Sequence, residues 1–181
     1  MKFKIVCLIL CLLPAMKAAD ANASQNWQRI VAERLPLYGH RNWIVIADSA
    51  YPAQSRAGIE TVVSGADQMD VLKQVLSALS ASRHVRPIIY TDRELSFVPE
   101  GDAPGIEEYR RQLSALLKGK PVQSLPHEEI ISKLDGAGQT FRVLIIKTNL
   151  TVPYTSVFLQ LDCAYWGAEA EQKLRAAMAS H

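Results

Sequence analysis

The 181-residue chain is 49% hydrophobic and 21% charged, with 20 basic and 18 acidic residues, the composition of an ordinary folded domain rather than a disordered or disulfide-stapled one. One domain is the expectation at this length. Near-balanced charge gives no electrostatic case for nucleic acid or anionic lipid as a partner.

The first stretch differs from the rest. Lys2 and Lys4 precede an apolar run from Ile5 to Ala15, and the small residues Ala18, Ala19, Ala21 and Ala23 follow. That order predicts a signal peptide over residues 1–23, cleaved after Ala21-Asn22-Ala23, and a domain over residues 24–181. A retained membrane anchor is the alternative, but the run is too short to span a bilayer comfortably. Leu10 before Cys11 is too bulky for a lipoprotein processing site. The expected location is periplasmic or secreted, with no membrane association after cleavage. Losing Lys2, Lys4, Lys17 and Asp20 leaves 17 basic and 17 acidic residues. Cys7 and Cys11 leave too, so Cys163 can form no internal disulfide. Its apolar neighbours Leu159, Leu161 and Tyr165 predict a buried, inert thiol.

In chain order, Trp27, Ile30, Val31 and Leu35 recur at helical spacing and Pro36 stops the pattern. Trp43 to Ala47 is a continuous apolar run, the mark of a strand covered on both faces, with Asp48 at its carboxyl end. Ile59 to Val63 is a second strand. Asp67 to Ala81 reads as a helix through Val71, Leu72, Val75 and Leu79, and Pro87 to Tyr90 as a short strand. From Gly105 to Leu117, one helix face carries Ile106, Tyr109, Leu113, Leu116 and Leu117; the charged residues opposite form a solvated face. Val122 to Leu125 predicts a brief strand, Pro126 to Leu134 a short helix, and Gly136-Ala137-Gly138 a turn. Phe141 to Thr148 and Ser156 to Leu161 are strands, and Ala168 to Ala179 a terminal helix. This alternation predicts a single-domain α/β three-layer sandwich, its sheet mostly parallel or mixed, with helices on both faces.

The chain has no glycine-rich dinucleotide fingerprint, no P-loop, no G-x-S-x-G and no H-E-x-x-H, so neither a nucleotide nor a metal is expected. What remains is polar groups near strand ends, where α/β folds gather ligands. Asp48 is one, although a carboxylate before Ser49-Ala50-Tyr51-Pro52 also suits a turn cap. His40 lies in a loop after Gly39. His127 follows Pro126 where a helix starts, and a helix-start role competes with a chemical one. Tyr154 follows Pro153 between two strands, where packing is the plain alternative. His84 and His181 read as surface residues.

The order of these residues carries more than any one of them. Gly39-His40, then Ile44-Val45-Ile46-Ala47-Asp48, then Tyr51-Pro52-Ala53 and Ser55 resemble the G-H…(apolar)-D-x-x-[FY]-P-A-x-S signature of the D-ribose pyranase / L-fucose mutarotase family. Leu125-Pro126-His127-Glu128 resembles the ribose branch, and Pro153-Tyr154-Thr155-Ser156-Val157 resembles the Tyr-x-Asn turn entering the family's last strand. The resemblance implies a cofactor-free sugar isomerase acting on a free monosaccharide. It implies that His40 is the proton donor, that Asp48 and His127 contact sugar hydroxyls, and that Tyr154 closes the site with Thr155 and Ser156. It also implies a homo-oligomer with sites between subunits.

Several departures bear on this. Ser156 stands where the family usually has Asn, which replaces an amide that donates and accepts with one hydroxyl. The chain between His127 and Tyr154 is longer than in the family, and the terminal helix is an addition. An export signal is unusual for a family whose better-known members act on sugars already inside the cell. Ser156 favours the alternative of an exported sugar-binding protein without turnover. Which sugar is bound stays open, since the Tyr51 segment resembles the fucose branch and His127-Glu128 the ribose branch.

The chemistry suits these side chains. Changing anomer requires one group to take the proton of the anomeric hydroxyl while another protonates the ring oxygen, and histidine titrates where it can do either. His40 and Asp48 nevertheless flank a strand, and eight extended residues span roughly 26 Å. They meet only if the Gly39 loop folds back sharply or if neighbouring subunits contribute one residue each.

Overall fold

The computed structural model describes residues 27–180. In chain order the elements are a helix over residues 27–34 (α1), Trp43–Ala47 (β1), Ile59–Val63 (β2), Gln68–Ala81 (α2), Val85–Asp92 (β3), Ile106–Leu116 (α3), Val122–Leu125 (β4), His127–Thr140 (α4), Val143–Lys147 (β5), Val157–Cys163 (β6) and Ala168–Ala179 (α5). Short 3-10 turns follow α1 and β3. The proposed leader lies outside the described residues, as does His181.

The six strands form one sheet in the order β2-β5-β1-β6-β3-β4. β1 and β5 are apolar along nearly their whole length, so both their faces must be covered, and they pair in parallel from Trp43↔Val143 to Ala47↔Lys147. β6 runs antiparallel between β1 and β3, which makes the sheet mixed.

Alternation along the strands divides the core in two. Ile44 and Ile46 of β1, Leu144 and Ile146 of β5, and Val157, Leu159 and Leu161 of β6 face α1, α2 and α3, where they meet Trp27, Leu72, Val75, Ile106 and Leu113. Trp43, Val45, Val143, Ile145 and Phe158 face the other way, onto Ile130 and Leu134 of α4. This is the three-layer α/β sandwich expected from the sequence. α5 buries none of its residues.

Local signals explain most boundaries. Asp67 caps α2 by accepting from the N–H groups of Met69 and Asp70, the standard satisfaction of orphan helix donors. β3 is longer than Pro87 to Tyr90 because β6 pairs with it from Val85↔Cys163 to Thr91↔Val157. Pro87 is tolerated inside it because β4 pairs only from Ile89 onward, so the missing N–H lies beyond that neighbour's reach.

Three expectations are corrected. Gly136-Ala137-Gly138 is no turn: α4 continues to Thr140. Glycines cost helix stability, but a Cβ on Gly138 would come within 2.8 Å of Ile59 Cδ1, and one on Gly58 within 2.5 Å of the Gly138 carbonyl oxygen. Close passage of the helix over the Gly58 loop therefore requires bare backbone there. Cys163 is half-buried rather than sealed, because it ends β6 at the margin of the sheet. His84 is no plain surface residue. Its Nε2 lies 3.0 and 3.2 Å from the carbonyls of Tyr38 and Leu35, and its Nδ1 lies 2.9 Å from Ser82 Oγ. Facing two acceptors, Nε2 carries the proton and Nδ1 accepts from the serine, which ties the turn after α1 to the α2–β3 loop.

Candidate active site

At one end of the central strands, the carboxyl ends of β1 and β3 flank the start of antiparallel β6, and the start of α4 lies beside them. Asp48, Asp92, Ser156, His127, Tyr154 and Tyr51 line a pocket of about 400 Å³ here, within the range of small-ligand sites. A groove of about 470 Å³ beside α3 is larger, but its Arg110 is already tied to the carbonyls of Leu95 and Val98.

The strand pairing brings Asp48 and Ser156 side by side. Ser156 Oγ donates to Asp48 Oδ2 at 3.0 Å, and the Asp48 N–H donates to Ser156 Oγ at 3.4 Å. Asp48 Oδ1 accepts from the Ala50 N–H at 2.9 Å, so this carboxylate caps its turn and lines the pocket at once. His127 is the first residue of α4, and its N–H donates to both carboxylate oxygens of Glu94, at 3.0 and 3.1 Å. Glu94 thereby supplies the helix cap that Pro126 cannot. The His127 and Tyr154 rings meet edge to face, centroids 5.6 Å apart.

Tyr154 is 40% exposed and has φ +56, a left-handed conformation uncommon for a bulky residue. What holds it is the buried segment that follows. Thr155 Oγ1 donates to the Val152 carbonyl at 2.7 Å, and the Thr155 carbonyl accepts from Gln68 Nε2 and the Tyr109 hydroxyl. Gln68 Oε1 in turn lies 3.0 Å from Thr148 Oγ1. Thr155 is fully buried and stands outside the pocket lining, anchoring the turn from below.

His40 is elsewhere. The Arg41 N–H donates to the Leu161 carbonyl at 2.8 Å, and Gly39 N–H to Asn42 Oδ1 at 2.8 Å. These bonds fix the exposed His40 loop beside the far end of β6, opposite the end that carries Ser156. The loop does not fold back, so within one chain His40 and Asp48 stay apart.

Asp92 was not among the residues singled out by sequence. It ends β3 and is 1% exposed, and neither of its carboxylate oxygens has a hydrogen-bond partner. His127 Nδ1 lies 3.1 Å from Asp92 Oδ1, at ion-pair distance, yet outside hydrogen-bond geometry. Burial pushes the Asp92 carboxyl up to about 6, opposed by the adjacent imidazole and reinforced by Glu94 and Asp48. Burial also raises the Tyr51 hydroxyl, helped by Asp135 and Asp92, so Tyr51 enters the pocket as a protonated phenol. The signal that could have found Asp92 is the one that selected Asp48: a carboxylate at a strand's carboxyl end. Among the described residues no group of three or more His, Cys, Asp or Glu side chains could hold a metal ion, and no helix is long and apolar enough to cross a membrane.

Residues 27–163 match the RbsD / FucU transport protein family. The chain belongs to that family. Its fold is similar to Bacillus subtilis RbsD, solved with D-ribose, at a TM-score of 0.50 and 19% identity over 86% of this chain and 98% of that one. It is also similar to the fucose mutarotase of Streptococcus pneumoniae, solved with L-fucose, at a TM-score of 0.48 and 22% identity over 78% and 94% of the two chains. FucU of Bifidobacterium longum gives a TM-score of 0.48 and 18% identity over 76% and 94%. No curated protein matches significantly in sequence. Family membership overturns the periplasmic or secreted location read from residues 1–23: RbsD and FucU are enzymes of the cytoplasm.

Proposed function

We propose that this protein is a cofactor-free mutarotase or pyranase that interconverts the anomers or ring forms of a free ribose- or fucose-like monosaccharide. The observation that carries this reading is the convergence of Asp48, His127, Tyr154 and Ser156, from three separate segments, on one pocket of about 400 Å³. A carboxylate and an imidazole can take the proton from the anomeric hydroxyl and grip its neighbours. As that proton leaves, the bond from C1 to the ring oxygen breaks, the ring oxygen receives a proton from an acid, and C1 becomes an aldehyde. Rotation and reclosure by the reverse transfers yield the other anomer. Tyr154, leaning over His127, keeps the open chain in place so that it recloses before escaping.

His40 supplies the acid from a second copy of the chain. Its exposed loop presents it outward at the opposite end of the sheet, and a repeated interface would bring that end against the Asp48 pocket of a neighbour. The active species is therefore a homo-oligomer, and we propose one larger than a dimer.

Saturation-transfer NMR of anomeric protons, on D-ribose, L-fucose and other free monosaccharides, tests the reading. At least one sugar should exchange faster than its spontaneous rate. Binding without faster exchange would leave a sugar-binding protein, the outcome to which the Ser156 hydroxyl bound to Asp48 points.

A further inference from the structure

We infer that Asp92 is a positioning residue for this reaction: it holds the His127 imidazole in the tautomer protonated on Nδ1, so that Nε2 faces the sugar with a free lone pair. The inference rests on the mutarotase reading for its catalytic part and on geometry alone for the tautomer.

The geometry is specific. Asp92 is 1% exposed, its two carboxylate oxygens have no hydrogen-bond partner, and it lines the pocket that also holds His127. A bare buried carboxylate is costly, and proteins keep such groups at sites of function. His127 Nδ1 is itself buried without a hydrogen-bond partner and lies 3.1 Å from Asp92 Oδ1. A carboxylate only accepts, so the nitrogen facing it must carry a proton for the contact to be favourable. The backbone N–H of His127 is held by Glu94, which fixes the residue at the start of α4, and the imidazole packs edge to face against the Tyr154 ring.

With Nδ1 committed, Nε2 is the ring nitrogen left for the substrate. As Nε2 takes the anomeric O1–H proton, the imidazole becomes an imidazolium beside the Asp92 carboxylate, which stabilises that charge. The electron pair of the breaking C1–O bond goes to the ring oxygen, which is protonated by the acid, and O1 becomes the aldehyde oxygen. Asp92 itself exchanges no proton with the sugar. Asp48 and Glu94, the other carboxylates near Asp92, are engaged by Ala50 and Ser156 and by the α4 N–H respectively, which leaves Asp92 as the acceptor available to Nδ1.

The decisive measurement is imidazole ¹⁵N NMR of the full-length protein without sugar, at a pH where His127 is neutral and with its signals assigned by their loss in His127→Asn. The wild type should carry its proton on Nδ1, and Asp92→Leu, which keeps the bulk and removes both oxygens, should move the population toward Nε2–H. A wild-type His127 protonated on Nε2 overturns the inference without any variant having to fold, and so does a tautomer that Asp92→Leu leaves unchanged. In turnover, Asp92→Leu should slow D-ribose or L-fucose anomer exchange at saturating sugar by roughly tenfold or more, while the Kd for the sugar changes little. Exchange that is unaffected overturns the catalytic part. If wild-type protein accelerates exchange of neither sugar, the mutarotase reading is the one that fails, and the tautomer result still stands or falls by itself.

Discussion

Asp92 illustrates how a single residue can be a burden on the fold and an asset to the site. Its ordinary pKa is 3.8 and burial carries it to about 6, so across that interval the folded chain binds more protons than the unfolded one. Stability therefore falls as pH rises from about 4 to 6, and the penalty is complete above 6. At about 1.4 kcal/mol per unit, its ceiling is roughly 3 kcal/mol. Asp92→Asn removes the titration. Urea unfolding should find Asp92→Asn more stable than wild type at pH 7 to 8, with the advantage shrinking to nothing by pH 4. Parallel stability profiles for the two proteins would mean that the carboxylate is not held against its preference. A variant that gains stability while losing turnover is the usual pattern where a strained group belongs to a site.

Among the elements, α4 shows the closest coupling between packing and site. Its first residue is His127, and its far end passes over the Gly58 loop with no room for a side chain. A Cβ on Gly58 would meet the carbonyl oxygens of Gly138 and Phe141 at 2.5 and 2.7 Å, both backbone atoms that cannot rotate aside. Gly58→Ala should therefore cost about 1–3 kcal/mol in thermal or urea unfolding. Gly138→Ala should cost less, because its obstacle is the end of the Ile59 side chain. A neutral Gly58→Ala would show that α4 has slack to tilt. The turn before β6 depends in the same way on elements behind it, since Gln68 of α2 and Tyr109 of α3 together hold the Thr155 carbonyl and leave Tyr154 in its left-handed conformation.

For the molecule as a whole, the separation of His40 from Asp48 has a direct consequence. If one active site takes its acid from one copy and its pocket from the next, two differently disabled chains can repair each other. His40→Ala and Asp48→Asn should each abolish accelerated exchange alone, yet oligomers reassembled from an equal mixture should recover roughly a quarter of wild-type activity, the fraction of interfaces that combine an intact His40 with an intact Asp48. Light scattering on the wild type should report an assembly larger than a dimer. An active monomer, or a mixture with no recovery, would remove His40 from the reaction. His40→Ala should leave unfolding unchanged, since the exposed side chain adds nothing to the core.

The α/β alternation, the two-sided burial of β1, the helical spacing of α2 and the candidates Asp48, His127 and Tyr154 were legible in the sequence, because each depends on residues close together in the chain. Apolar runs, helical spacing and cap residues are local signals. What only the tertiary structure decided depends on distant segments. The extension of β3 beyond Tyr90 follows from pairing with β6 at Thr91↔Val157 and with β4 at Asp92↔Leu125, and the helical state of Gly136 to Thr140 follows from contact with Gly58. Thr155 proved to be a buried anchor because Gln68 and Tyr109 reach its carbonyl from two other elements. The charge state of Asp92 is the furthest from anything local. A carboxylate in a polar strand end looks ordinary in the chain, and only the tertiary packing around Asp92 buries it and leaves the His127 imidazole 3.1 Å away.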